Sequence, residues 1–143
     1  MRQVKPADVP SVLDFLKLPH VQAKHNIKLD RLDWMIDQLS DKDYLGFALL
    51  SESDGKVTGF FMTTLEYADL WPGKCYWILA ALGIDDETEI ANNEWVRDVY
   101  FPEVEAVGAT AVYKNEFKEQ MEKTLVPVFG LVDSEYDLLY AKI

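Results

Sequence analysis

The residues best suited to chemistry are acids at a junction between an apolar segment and a helical one. The stretch "LGIDDETEIANNEW", from Leu82 to Trp95, carries five carboxylates. They are Asp85, Asp86, Glu87, Glu89 and Glu94. Such a junction is a favourable anion site, because unpaired N–H groups and the helix dipole both face it. Acids at that place satisfy the dipole themselves. The pattern therefore predicts a helix start that caps itself.

The histidine and cysteine residues do not indicate a metal site or a nucleophilic thiol. His20 and His25 lie five positions apart and follow neither an acid-x-x-His pattern nor a paired-His helical spacing, so the sequence predicts no metal site. Cys75 begins an apolar segment without a histidine nearby, which is typical of a buried, inert thiol. Walker, G-x-S-x-G and G-x-G-x-x-G patterns do not occur in the sequence.

Charge and hydropathy narrow the classes of partner. The chain has 25 acidic and 14 basic residues and a net charge of −11, which disfavours binding to a nucleic-acid backbone. An acidic mimic of nucleic acid that occupies a basic partner stays an alternative. Apolar runs are shorter than the ~20 residues of a membrane span, and the N-terminus lacks a signal-peptide core. We therefore expect one soluble, cytoplasmic domain over residues 1–143, without a nucleic-acid or membrane partner.

Helical periodicity marks the first forty residues. "PADVPSVLDFL" has apolar residues at helical spacing after Asp8, which is a candidate N-cap. "LPHVQAKHN" is predicted to be a loop around Pro19. "DRLDWMIDQLSD" follows the i, i+3, i+4, i+7 pattern and predicts a second helix, with Trp34 on its apolar side and in the core.

The period then changes to that of strands. "YLGFALLSE" and "KVTGFFMTTLEYA" are joined by "SDG", in which Asp54-Gly55 is a strong hairpin signal. "KCYWILAALGI" is apolar on both faces, as expected for a central strand that is covered on both sides. These three segments predict an antiparallel meander.

The last third alternates helix and strand. "NEWVRDVYFPEVEAVGA" predicts a helix that Pro102 should kink or split and that ends near Gly108. "TAVYKN" predicts a short strand, "EFKEQMEKTLVPVF" a helix, and "YDLLYAKI" a closing strand. The order α-α-β-β-β-α-β-α-β predicts an α+β domain with a mixed, mostly antiparallel sheet.

That order and several local phrases resemble the GNAT family of acyl-CoA-dependent N-acyltransferases. "RQVKPADVPSVLDFL" is similar to the family's first strand and helix, and "FALLSESDGKVTGFFMTTLEY" to its central hairpin. "TAVYKNEFKEQMEKTLVPVFGL" and "YDLLYAKI" are similar to its late elements. The resemblance covers nearly the whole chain and implies a GNAT-like sheet flanked by helices on both faces. It also implies that strands 75–84 and 110–114 run side by side and then part, leaving a slot.

The resemblance implies how a cofactor would be held. Acetyl-CoA would be the donor, with its thioester in that slot. Backbone N–H groups of Leu82, Gly83 and Ile84 would polarise the thioester carbonyl. Asn92 and Asn115 would help to position the cofactor.

Two carboxylates are candidates for the proton transfers. Glu66, near the end of the second hairpin strand, would deprotonate the amine directly or through water. Many relatives have a tyrosine seven positions after the late-strand asparagine, and it protonates the departing thiolate. Glu122 holds that position here. A glutamate serves as such an acid only when burial raises its pKa. The alternative for both residues is a solvent-exposed acid.

The chain departs from the family at the pyrophosphate. The family's Arg/Gln-x-x-Gly-x-Gly/Ala loop is replaced by "DDETEIANNEW", whose acids repel a pyrophosphate. We therefore expect weak binding of acetyl-CoA, or none. Two functions stay open. One is an N-acetyltransferase that acts on a small-molecule or peptide amine. The other is an inactive GNAT-like interaction or structural protein, phage-encoded and carried in a virion, that binds a protein partner.

Overall fold

A computed structural model of the chain describes residues 1–25, 34, 37–38, 46–66, 75–103, 110–113 and 118–130. The described strands are β1 (Arg2–Gln3), β2 (Gly46–Ser53), β3 (Lys56–Glu66), β4 (Cys75–Gly83) and β5 (Thr110–Tyr113). The described helices are α1 (Val9–Leu16), α2 (Pro19–His25), α3 (Asp86–Trp95), α4 (Phe101–Glu103), α5 (Lys118–Thr124) and α6 (Val126–Phe129). The predictions for Gly108, Asn115 and the closing strand lie outside the described residues.

The five described strands form one sheet in the order β1-β2-β3-β4-β5. The first three pairs of neighbours are antiparallel, and β4 and β5 are parallel. The predicted hairpin turn is confirmed, since Asp54 and Gly55 have φ angles of 52° and 76°. Positive φ at both positions suits the twist of a two-residue hairpin. The mixed, mostly antiparallel sheet of the prediction is thereby confirmed.

Core residues on the two faces of the sheet pack against different helices. Phe60 and Met62 of β3 share a cluster with Phe15 of α1. Phe61, between them, belongs to a second cluster with Val96, which follows α3. Because neighbouring strand residues point to opposite faces, these two clusters lie on opposite sides of the sheet. Helices therefore cover both faces, as predicted.

Two predictions for the first helical segments were wrong. Residues 19–25, expected as a loop, form α2. Proline is well tolerated in the first turn of a helix, because its missing N–H has no partner there in any case. Trp34 is helical, but its side chain is exposed at 42%, so it does not belong to the core. A single exposed apolar side chain is common on a protein surface.

Pro102 does not end the helix that follows the acidic junction. α3 continues through a π turn, Val96–Tyr100, directly into α4. The N–H of Phe101 donates to the carbonyl of Val96, five residues back. Pro102 is then the second residue of α4, where its missing donor is tolerated. The predicted irregularity is therefore present as a π turn just before the proline.

Asp8 precedes α1 as predicted, but its carboxylate is used elsewhere. It accepts the N–H of Lys5 at 2.7 Å, while α1 has no side-chain cap. The guanidinium of Arg2 donates to both carboxylate oxygens at 2.8 Å. These contacts, the Arg2 bonds first, lower the pKa of Asp8 to about 2. Asp8 therefore links β1 to the turn before α1.

This link predicts an acid-dependent stability. Since the folded pKa of Asp8 lies below its unfolded value, the stabilisation is present at neutral pH and is lost as the pH falls from about 4 to about 2. Arg2→Met should therefore lower the free energy of unfolding at pH 6 and change it little near pH 2. Urea denaturation across this range measures the difference. A difference that does not change with pH would contradict the assignment.

Candidate functional site

One edge of β4 is only partly covered by a strand in the described sheet. β4 pairs with β5 only from Cys75↔Thr110 to Ile78↔Tyr113, although it continues to Gly83. Within the described parts of the chain, no strand pairs with residues 79–83 on that side. We call residues 79–83 of β4 the unpaired edge. The predicted side-by-side pairing of the two strands is confirmed, and β4 extends past it.

β4 contains a β-bulge directly after its last described pair with β5. Met62 pairs with Ala80 and Thr63 with Ile78, so Leu79 is an extra residue on β4. The core clusters show the same shift, since Ile78 and Ala81 share one face and Ala80 belongs to the other. Bulges re-aim the backbone next to them. The bulge at Leu79 therefore lies at the start of the unpaired edge.

Backbone donors on this edge differ from those expected. The N–H of Ile84 donates to the carbonyl of Thr58 in β3 at 2.8 Å, so it is not available to a ligand. Strand N–H groups alternate in direction, so Leu82 also faces β3. Ala81 and Gly83 consequently direct their N–H groups away from β3. The prediction was therefore wrong for Ile84 and, by this alternation, for Leu82, whereas the N–H groups of Gly83 and Ala81 face away from β3.

Gly83 lies where the end of β4 meets α3. A Cβ atom added at Gly83 would lie 2.6 Å from the backbone nitrogen of Glu89 and 2.8 Å from its Cα. Only glycine allows this close approach of strand and helix. The first turn of α3 is therefore held against the unpaired edge.

The start of α3 caps itself, as predicted. Asp85 is extended, and its Oδ1 atom accepts the N–H of Thr88 at 2.7 Å. This backbone hydrogen bond lowers the pKa of Asp85 below its ordinary value. A carboxylate at this place also interacts favourably with the helix dipole.

We expect the cap to stabilise the fold in a pH-dependent way. Asp85→Ala should lower the urea midpoint at pH 7, whereas Asp85→Asn should retain most of the stability, because asparagine is also a good N-cap. Since the folded pKa is lowered, the difference between wild type and Asp85→Ala should shrink as the pH falls below about 4. Equal midpoints for the alanine and asparagine variants at pH 7 would contradict this role.

Glu89 is the most unusual residue of α3, because its side chain is only 2% exposed. Its Oε1 atom accepts the hydroxyl of Thr124 at 2.7 Å. Its Oε2 atom lies 3.3 Å from His25 Nε2 and 3.6 Å from Lys24 Nζ. A buried carboxylate requires such partners, since an unpaired charge in the interior is costly. Glu89 therefore ties α2 and α5 to α3.

Asp86 extends the same cluster towards solvent. It forms an ion pair with Lys24 and accepts a hydrogen bond from Gln120 Nε2 at 2.9 Å. Lys123 Nζ lies 3.8 Å from its other oxygen. Lys24 and then Gln120 hold the pKa of Asp86 below its ordinary value. We call this group the α3 carboxylate cluster; its members are Lys24, His25, Asp86, Glu89, Gln120, Lys123 and Thr124.

The residues at this helix start do not fit a diphosphate. The N–H of Thr88 is already bound to Asp85. Lys24 already faces Asp86 and Glu89, and His25 Nε2 faces Glu89. A diphosphate would add negative charge beside these carboxylates and would be repelled.

Other residues proposed from the sequence are dispersed. Asn92 Nδ2 donates to Ser51 Oγ in β2 at 2.9 Å, so this amide is engaged with the sheet. Glu122 is exposed on α5, which removes the burial that an acid at this position requires. Asn115 lies outside the described residues.

Glu66 and Gly83 are not brought together. The backbone of Glu66 pairs with Cys75 at the beginning of β4, and Gly83 is at its end. At about 3.3 Å per residue, roughly 25 Å of strand separates these two positions. Glu66 therefore does not serve a carbonyl held at Gly83.

Sequence reasoning named Glu89 and His25 without predicting their burial or their contact with each other, and it missed Thr124. A signal for Glu89 was present, because Glu89, Asn93, Val96 and Tyr100 follow one helical stripe and are all buried. Asn93 Nδ2 donates to the carbonyl of Thr124 at 2.9 Å. Polar residues on an otherwise buried stripe indicate a specific buried partner.

Metal and membrane criteria give negative results for the described ranges. There, no group of three or more His, Cys, Asp or Glu side chains could hold a metal ion. In the same ranges, no helix is long and apolar enough to cross a bilayer.

Comparison with known proteins gives no sequence match. No family model matches the chain, and no curated protein matches it by sequence. Among solved structures, an aminoglycoside 6'-N-acetyltransferase from Acinetobacter haemolyticus matches with a TM-score of 0.67 at 12% identity, over 99% of this chain and 97% of that chain. The chain has a GNAT-like α+β fold.

Two further structures have the same GNAT-like fold. A possible acetyltransferase from Clostridium difficile has a TM-score of 0.64 at 16% identity, over 99% of this chain and 95% of that chain. A predicted acetyltransferase from Clostridium acetobutylicum, solved with acetyl-CoA, has a TM-score of 0.61 at 13% identity, over 98% of this chain and 94% of that chain. At these identities the likeness concerns the fold.

Proposed function

We propose that this GNAT-like chain is an N-acyltransferase that holds an acyl thioester along the unpaired edge of β4. The observation that carries the proposal is the backbone geometry: in the described residues the last pair between β4 and β5 is Ile78↔Tyr113, and β4 continues through the bulge to Gly83. The acetyltransferase neighbours, one of them solved with acetyl-CoA, support this class of donor.

The chemistry requires a polarised carbonyl and a neutral amine. The outward N–H groups of Ala81 and Gly83 would donate to the thioester oxygen and stabilise the negative charge that develops as the amine attacks. The C–N bond forms, the C–S bond breaks, and the proton that the amine nitrogen loses passes through water to the departing thiolate. A small-molecule or peptide amine is the acceptor class, and the net charge of −11 favours the approach of a cationic one.

A second candidate is a non-catalytic GNAT-like domain that binds a protein partner, as in a phage structural protein. The α3 carboxylate cluster favours it, because the residues at this helix start repel the diphosphate of CoA. The fold itself is compatible with both candidates, since one fold supports many functions.

A transfer assay separates the two candidates. The protein is incubated with acetyl-CoA or S-acetyl-pantetheine and with a panel of a polyamine, an aminoglycoside and a lysine peptide. Release of free thiol is measured against a blank without amine. The acyltransferase requires amine-dependent thiol release that saturates with donor. Absence of release and of saturable donor heat in calorimetry would leave the non-catalytic domain as the better description.

A further inference from the structure

Three basic side chains converge on the first turns of α3. Lys24 and His25 come from the end of α2, and Lys123 comes from α5. Lys24 forms an ion pair with Asp86, and Lys123 Nζ lies 3.8 Å from the same carboxylate. Basic side chains around a helix N-terminus are typical surroundings of a bound anion. Here the anions that they face belong to the chain.

His25 gives an independent indication that this position is built around an anion. Its side chain is only 3% exposed, and neither ring nitrogen has a hydrogen-bond partner in the described residues. Its Nε2 atom is nonetheless directed at Glu89, with 3.3 Å to Oε2. A buried polar ring without a hydrogen bond is rare in folded proteins. The carboxylate of Glu89 is therefore the anionic group that this buried ring faces.

We propose that Asp86 and Glu89 fill the anion position at the start of α3, so that the chain recognises a donor by its acyl-pantetheine arm without its diphosphate. The first part of this proposal, that Asp86 and Glu89 occupy the anion position, does not depend on whether the protein is an acyltransferase. The statement about the donor rests on the proposed function. In chemical terms, the preferred donor class is a thioester for which a nucleotide diphosphate adds no affinity.

Variants that neutralise the carboxylates of the cluster test whether Asp86 and Glu89 occupy the anion position. Inorganic pyrophosphate is the probe. Asp86→Asn combined with Glu89→Gln keeps the side-chain shapes and leaves Lys24, His25 and Lys123 facing neutral amides. Ligand that binds only the folded state raises the melting temperature. We expect millimolar pyrophosphate to raise the melting temperature of this variant, less so at high salt, and to leave wild type unchanged. If the double variant does not fold, the single variant Asp86→Asn takes its place.

Glu87→Gln combined with Glu94→Gln is the matched control. Both residues are exposed on α3, and the net charge changes by the same amount outside the cluster. This control should resemble wild type. A pyrophosphate shift of equal size in wild type and the cluster variants would overturn the inference, because the position would then be open. No shift in any folded cluster variant would also overturn it.

A comparison of two donors tests the second part of the proposal, that the diphosphate adds no affinity. For wild type we expect the Kd values of acetyl-CoA and S-acetyl-pantetheine to differ by less than about threefold, and the cluster variant to favour acetyl-CoA by about tenfold or more. Preference of wild type for acetyl-CoA by about tenfold or more would overturn the inference and leave the proposed function intact. Binding of neither donor, together with the expected pyrophosphate results, would reject the proposed function and the donor class while the filled position stands.

Discussion

Replacing Gly83 by alanine is expected to be one of the most destabilising small changes in the described chain. The added methyl group would lie 2.6 Å from the backbone nitrogen of Glu89 and 2.8 Å from its Cα. Helix backbone cannot turn aside as a side chain can, so α3 must move away from β4. Overpacking of this kind usually costs about 1–3 kcal/mol, and we expect the upper end. Urea denaturation at pH 7 measures the loss.

Gly59→Ala is the informative control, because its added Cβ meets side chains. The nearest atoms are Asn92 Nδ2 and Ser51 Oγ, with the carbonyl of Leu82 next. Removing the amide in Gly59→Ala with Asn92→Ala should recover part of the lost stability. No comparable recovery is expected for Gly83→Ala with Glu89→Ala, because the backbone nitrogen and Cα remain. A Gly83→Ala variant as stable as wild type would show that strand and helix do not meet as described.

Thr124→Val is expected to cost about 1.5–3 kcal/mol, the range of a hydrogen bond to a charged group. The change keeps the shape of the side chain but removes the hydroxyl that donates to Glu89 Oε1 at 2.7 Å. A buried carboxylate then loses its shortest partner. Thr124→Ser keeps the hydroxyl and should cost less. Urea denaturation at pH 7 compares the two variants.

A double-mutant cycle with Glu89→Gln tests whether the loss comes from this contact. Because Glu89→Gln removes the charge, Thr124→Val should cost less in that background than in wild type. An equal cost in both backgrounds would contradict the role of Thr124 as a donor to a buried carboxylate. It would point instead to lost packing.

Much of the sheet was predictable because its signals are local. The Asp54-Gly55 turn fixes the hairpin, and the apolar segment predicted as a strand becomes β4, which pairs with a strand on each side. The self-capped start of α3 was equally predictable, since Asp85 and the N–H that it binds lie three residues apart. Local spacing decides each of these features. The α2 helix was missed because Pro19 indicates a helix start as well as a turn.

The candidate site was predictable only in part, because it depends on contacts between distant segments. Glu89 meets His25 and Thr124, each tens of residues away, and no local pattern joins them. The bulge at Leu79 depends on the register with β3, and it decides which N–H groups face outward. A shift of one residue exchanges the two sides of a strand. For this reason Ile84 was a wrong choice of donor and Ala81 was missed.

The most direct test of thioester binding on β4 is a heteronuclear NMR titration of isotope-labelled protein with S-acetyl-pantetheine and, separately, acetyl-CoA. Amide resonances report each N–H group individually. We expect the amides of Ala81 and Gly83 to shift with a common saturation curve, and those of residues 86–89 to change little with either donor. Unchanged Ala81 and Gly83 amides at saturating donor would contradict the proposed placement of the thioester.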